Sequence, residues 1–169
     1  MEKIYGSPGR QDGLYKIGRD RWELIYGFGK DSEDDETGWN WRQRFDHRPA
    51  ADEIRECITG AIREECARRL HYGLQWRGME VEYTESLKSD LTGILVAVQG
   101  GLMQFPLEVS LGVSSDGLPI VCRFEDARDL GELAARLTAH AAQVGKEERE
   151  LLTGLDLGVY ESGDGPAAL

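Results

Sequence analysis

Apolar positions recur along the chain in two rhythms, and each change of rhythm marks a new element. Between Pro49 and Gly73 the residues Ile54, Ile58, Ile62, Cys66 and Leu70 fall at intervals of four, a slowly drifting ridge on one helix that Pro49 introduces and Gly73 ends. Leu87, Leu91, Ile94, Leu95 and Val98 predict a second helix, which tolerates Gly93 at about 1 kcal/mol relative to Ala and stops at Gly100-Gly101. Asp126 can cap a third helix with the stripe Leu130, Leu133, Ala134, Leu137, Ala141 and Val144, which breaks near Gly145 and resumes from Glu147 to Leu152.

The other rhythm is alternation. Leu14 to Ile17 and Trp22 to Tyr26 flank Gly18-Arg19-Asp20-Arg21 and predict a hairpin, and Trp39 to Phe45 adds a third strand. On that strand residues 39, 41 and 45 put aromatics on one face, while residues 40, 42 and 44 put polar groups on the other. Leu74-Gln75-Trp76 and Val81-Glu82-Tyr83 flank Arg77-Gly78 as a second hairpin. Leu107 to Val113 and Leu118 to Phe124 flank Ser114-Ser115-Asp116-Gly117 as a third, its Asp-Gly pair suited to the positive φ of a tight turn.

The predicted organisation is an irregular leader (1–12), an aromatic-rich β-meander (13–48), an α-β-β-α-β-β-α domain (49–157) and a flexible tail (158–169). The fold class is α+β: antiparallel hairpins with three helices, preceded by a small three-stranded antiparallel meander. Hairpins in place of βαβ crossovers disfavour the parallel-sheet nucleotide folds.

Composition narrows the function. The chain has 169 residues, 40% hydrophobic and 30% charged, which suits a globular protein with a real core. No run approaches the roughly 20 apolar residues of a membrane span, and Met1 to Gly6 leads into no apolar signal segment, so the protein is expected to stay where it is made. A net charge of -11 repels nucleic acid and anionic lipid. That charge is uneven: residues 1–30 and 37–50 are each net +2, and the run Asp31 to Glu36 between them holds five acids. Three cysteines without a CxxC pair give no disulfide framework, and reduced thiols are the default.

Candidate chemistry is sparse. Gly27-Phe28-Gly29-Lys30-Asp31-Ser32 fails as a Walker A loop, because Leu24 stands where a Gly is needed and Asp31 would repel phosphate. The run 31–36 fails as an EF-hand, with Glu36 in place of the required Gly, and reads as a solvated tip between strands. Cys57 and Cys66 lie about 180° apart on one helix and cannot share a metal. His47, His71 and His140 are dispersed, so a hydrolase built from His47, His140 and scattered acids would depend wholly on the fold. Glu65 and Arg69 have i, i+4 spacing in the favourable direction, a structural pairing. Neither a cofactor nor a metal is expected.

The aromatic segment supports two readings. In one, some rings are exposed, and Trp39 and Trp41 with Arg42, Arg44 and Arg48 form a platform for a partner protein or a sugar chain. In the other, the rings pack the meander onto the helical body and the arginines cover its outer face.

The segments Trp22-Glu23-Leu24-Ile25-Tyr26-Gly27-Phe28-Gly29 and Trp39-Asn40-Trp41-Arg42-Gln43-Arg44-Phe45-Asp46-His47-Arg48-Pro49 resemble the opening of small proteins from prophages of gut anaerobes. The stretch from Ile54 through Leu70-His71-Tyr72-Gly73-Leu74-Gln75-Trp76-Arg77-Gly78-Met79-Glu80-Val81 to Phe124 is similar to the associated domain of unknown function, found in phage tail and tail-fibre neighbourhoods. The resemblance covers roughly residues 13 to 150 and carries no active-site residues. It implies context, a phage particle or its assembly, rather than mechanism. Together with the lack of a cofactor or catalytic motif and an aromatic N-terminal part suited to docking, it leads to the expectation of a non-enzymatic phage tail-associated structural or assembly protein that acts by protein-protein binding. The expected partners are phage tail or fibre proteins, or a second copy of the chain, with no nucleic acid and no membrane. The expected location is the bacterial cytoplasm during assembly, or the virion. Carbohydrate or receptor recognition by the aromatic strands is the alternative.

Overall fold

The computed structural model describes residues 1–161, and the fold is α+β. In chain order the elements are β1 (Glu2–Ser7), β2 (Gly13–Lys16), β3 (Trp22–Gly29), β4 (Gly38–Phe45), α1 (Ala51–Tyr72), β5 (Leu74–Trp76), β6 (Met79–Val81), α2 (Glu85–Gln99), β7 (Leu107–Val113), β8 (Pro119–Phe124), α3 (Ala127–Thr153) and α4 (Gly158–Glu161). The chain packs as two compact units, one of Met1–Arg63 with the segment from Leu151 onward, the other of Glu64–Glu150. The division falls inside α1 and α3 rather than at residue 49.

The first unit holds an antiparallel four-stranded sheet in the order β1-β4-β3-β2. This corrects two expectations. Residues 1–12 are not an irregular leader, because Glu2–Ser7 pairs with β4, and the meander is therefore part of a four-stranded sheet. The link to β2 is also fixed, since the Asp12 carboxylate accepts the Gly27 N–H at 2.7 Å. The leader's short, charged sequence hides it because edge strands are commonly short and charged. Buried residues of this unit include Leu14, Leu24, Tyr26, Trp39 and Trp41 from the sheet and Ile54, Ile58, Ala61 and Ile62 from α1. At the start of α1, Glu53 accepts the Ala50 N–H at 2.9 Å, satisfying one of the helix's orphan donors. The expected flexible tail is corrected in part: α4 packs on β2, and Tyr160 is buried. The rest of the expected tail, 162–169, lies outside the described residues.

The second unit has an apolar core drawn from every element. Val81, Leu87, Leu91, Leu111, Phe124, Leu130, Leu133 and Leu137 form one buried cluster, with Leu70, Ala134 and Ala141 packed against it. Thr84 caps α2 by accepting the Leu87 N–H at 3.0 Å, and Asp126 caps α3 by accepting the Asp129 N–H at 2.9 Å. The two hairpins are joined by carboxylates: Glu82 accepts the Val113 N–H at 2.6 Å, and Glu80 accepts the Ser115 N–H at 2.8 Å. Gly112 makes the first bond possible, since at its φ of +98° a Cβ would run into the Glu82 side chain.

Two further expectations are corrected here. α3 does not break at Gly145: Val144 is buried and Glu147 is held by Arg69 and Gln143 at 2.6 Å each, which outweighs one glycine's cost of about 1 kcal/mol. Glu65 and Arg69 do not pair with each other, because Glu65 binds Arg68 at 2.6 Å and Arg69 reaches across to Glu147. His140 on α3 donates its Nε2 hydrogen to the Arg69 and Leu70 carbonyls at 3.0 and 3.2 Å, closing the end of α1.

Candidate functional site

Side chains of a strand alternate between faces, and directly paired residues of neighbouring strands share a face. Arg42 is opposite Glu2 and Ile25, and Arg44 is opposite Glu23, so these side chains stand on one face of the sheet together with Ile4 and Asn40. Trp39, Trp41, Tyr5, Tyr26 and Lys3 stand on the other. Of the five residues expected to form a platform, parity therefore separates Trp39 and Trp41 from Arg42 and Arg44, and Arg48 lies beyond the strand.

Trp39 and Trp41 are 8% and 5% exposed and meet edge-to-face at 6.1 Å. The Lys3 ammonium lies 3.9 Å from the Trp39 ring centre, and the Trp39 indole N–H donates to Asp31 at 3.2 Å. The expected sugar platform is corrected by this burial, because stacking needs an open ring face and both indoles are spent inside the fold. Arg48 belongs to neither group: its guanidinium lies 5.3 Å from the Trp22 ring centre and donates to the Glu161 carbonyl at 2.8 Å.

Arg42 and Arg44 converge on Glu23. The Glu23 carboxylate is buried, accepting from Arg44 Nε at 2.8 Å and Arg42 Nη1 at 3.4 Å. Glu23 in turn holds the Arg44 guanidinium above its usual pKa through that hydrogen bond. Beside this trio lies a depression of ≈ 370 Å³ lined by Glu2, Ile4, Glu23, Arg42, Gln43 and Arg44. Arg42 Nε is buried there without a hydrogen-bond partner.

Next to the depression is the sheet's edge. β1 is bonded to β4 on one side only, so its other row of backbone groups has no strand partner among the described residues. Ile4 is 38% and Tyr5 63% exposed. Sequence reasoning missed Glu2, Ile4, Tyr5, Glu23 and Gln43; the available signal was the lone acid of Trp22-Glu23-Leu24-Ile25-Tyr26, which can be buried only beside a cation such as a cross-strand arginine.

The histidines serve locally. His140 closes α1, and His47 bridges Asp46 at 2.9 Å and Glu53 at 3.2 Å at the start of that helix. Among the described residues no group of three or more His, Cys, Asp or Glu could hold a metal ion, and no helix is long and apolar enough to cross a membrane. In comparisons with known proteins, no family model, no curated protein and no solved structure matches the chain.

Proposed function

We propose that the protein works by binding other proteins rather than by catalysis, with β1 as the docking strand. The observation that carries this reading is the position of β1 at the edge of the sheet, with Ile4 and Tyr5 exposed. An extended segment of a partner can add to such an edge, gaining affinity from main-chain hydrogen bonds and selectivity from alternate side chains. The depression bounded by Ile4, Glu23, Arg42 and Arg44 offers a place for one of those side chains. The proposed partners are phage tail or fibre proteins, a context that rests on the sequence resemblance.

The test is mass spectrometry of gradient-purified phage particles and tail-fibre complexes from cells that express the protein. The wild type is expected in one of the two, and the edge variant carrying Ile4→Lys and Tyr5→Lys is expected to be depleted from it, since lysines discourage strand pairing. Absence of the wild type from both would overturn the tail assignment, and equal recovery of the variant would overturn the docking strand.

A further inference from the structure

We infer that the depression beside Glu23 is a carboxylate site, which seats the acidic side chain of a partner's peptide on Arg42 and Arg44. The inference rests on the reading of this depression as the place for one side chain of a docking segment; it names the chemistry of that side chain and needs no backbone pairing along β1. β1 begins at Glu2, opposite Arg42, so no residue of β1 is paired with Gln43 or Arg44 and the sheet is notched there. The side chain of Arg42 is 28% exposed and that of Arg44 78%, which puts the first at the floor of the notch and the second at its rim.

Donors outnumber acceptors in this notch. A guanidinium carries N–H groups on every nitrogen and accepts nothing. Among the described residues, hydrogen-bond partners exist only for Arg44 Nε and Arg42 Nη1, both on Glu23. Arg42 Nε is buried without one, and the terminal nitrogens of Arg44 have none. An incoming carboxylate supplies acceptors in the planar geometry that guanidinium groups match. Other classes fit less well. An ammonium would face two cations, an apolar side chain would cover the donors without replacing their water, and a doubly charged phosphate would crowd Glu2 and Glu23. Glu23 holds both guanidiniums before a ligand arrives, so little ordering remains to be done on binding. Glu2 is exposed, makes no side-chain hydrogen bond among the described residues and acts electrostatically on Arg44, so it competes with an incoming carboxylate.

The test is nuclear magnetic resonance on isotope-labelled protein, in which the Nε–H signals of Arg42 and Arg44 report on the notch itself. The probe is the capped peptide acetyl-Val-Glu-Val-amide, set against its Gln counterpart and against propionate alone. The Glu peptide should shift both signals, and the Gln peptide should bind at least about tenfold more weakly, having lost the charge-assisted bonds. Glu2→Gln should tighten the Glu peptide several-fold by removing the competitor. Arg44→Gln, at an exposed position, should weaken it about tenfold. Circular dichroism and the emission of the buried tryptophans serve as controls for folding. Equal binding of the Glu and Gln peptides, or weaker binding to Glu2→Gln, would overturn the carboxylate site; propionate binding as tightly as the peptide would overturn a peptide side chain as its occupant. If the Glu peptide fails to bind while the lysine edge variant is still lost from tail complexes, the docking strand stands without this site. If the peptide binds and no tail complex contains the chain, the site stands and the tail assignment falls.

Discussion

The two units fill their interiors by different means. In Glu64–Glu150 the core is a cluster of Leu, Val, Ile and a few aromatics, and its polar contacts sit around the rim, as Glu80 and Glu82 do on the β7–β8 hairpin. In the four-stranded sheet three buried polar residues, Ser7, Glu23 and Asn40, sit among the apolar ones. Asn40 is 0% exposed, accepts the Ser7 hydroxyl and donates to the Gly27 carbonyl at 2.5 Å. The helical unit is thus specified mainly by volume and periodicity. The sheet is specified by hydrogen-bond matching, which penalises every alternative register that leaves one of these groups unpaired.

The largest expected effect tests the volume side of that contrast. Leu137→Ala, at a fully buried position of α3, should cost about 2–5 kcal/mol in urea unfolding, whereas the volume-conserving Leu137→Met should cost less than about 1.5 kcal/mol. Two equal losses would mean that the cluster depends on side-chain shape as strictly as the sheet depends on its hydrogen bonds.

The sheet should respond in the opposite sense to a near-isosteric change. Asn40→Leu keeps the volume but strands the Ser7 hydroxyl and the Gly27 carbonyl, and should destabilise by about 1–3 kcal/mol. Adding Ser7→Ala should recover part of that loss, because one of the stranded groups disappears; a double mutant no better than the single would remove Ser7 from the network. A smaller effect belongs to the helical unit. His140→Phe fills similar space but removes the donor to the Leu70 carbonyl and leaves the Arg69 carbonyl with the Gly73 N–H alone, for about 0.5–1.5 kcal/mol, with hydrogen exchange accelerating in the last turn of α1.

The same contrast explains what could be read from the residues alone. Helical ridges such as Leu130, Leu133 and Leu137, and hairpins closed by Arg77-Gly78 or Asp116-Gly117, are local patterns, and the structure has them close to where periodicity puts them. Non-local pairing was not legible. Nothing in Glu2 to Ser7 announces a strand, because its partner Gly38 to Arg42 lies more than thirty residues away and half of its side chains are polar. Arg69 illustrates the same limit: its i, i+4 neighbour Glu65 was visible, but Glu147, which it actually binds, arrives from another helix. For the candidate site, the parity that parts Trp39 and Trp41 from Arg42 and Arg44 was present in the spacing. The identity of the buried face was not, since both faces of β4 at Trp39-Asn40-Trp41 are covered.

The smallest effect is electrostatic and lies beside the sheet, at the start of α1. His47 is exposed, and hydrogen bonds to Asp46 and then Glu53 raise its pKa above the ordinary 6.5. A raised folded-state pKa means that the protonated form is favoured by folding, so the contribution is complete below the unfolded value and fades as the pH climbs through the folded one. Comparing wild type with His47→Asn, the wild type should melt higher at pH 5.5 to 6, and the difference should shrink toward zero above about pH 8. Salt should reduce the gap at the lower pH, because every partner is at the surface. A difference that instead grew with pH would assign the histidine's role to its neutral ring, and would show that even at the rim this unit relies on hydrogen-bond matching rather than on charge.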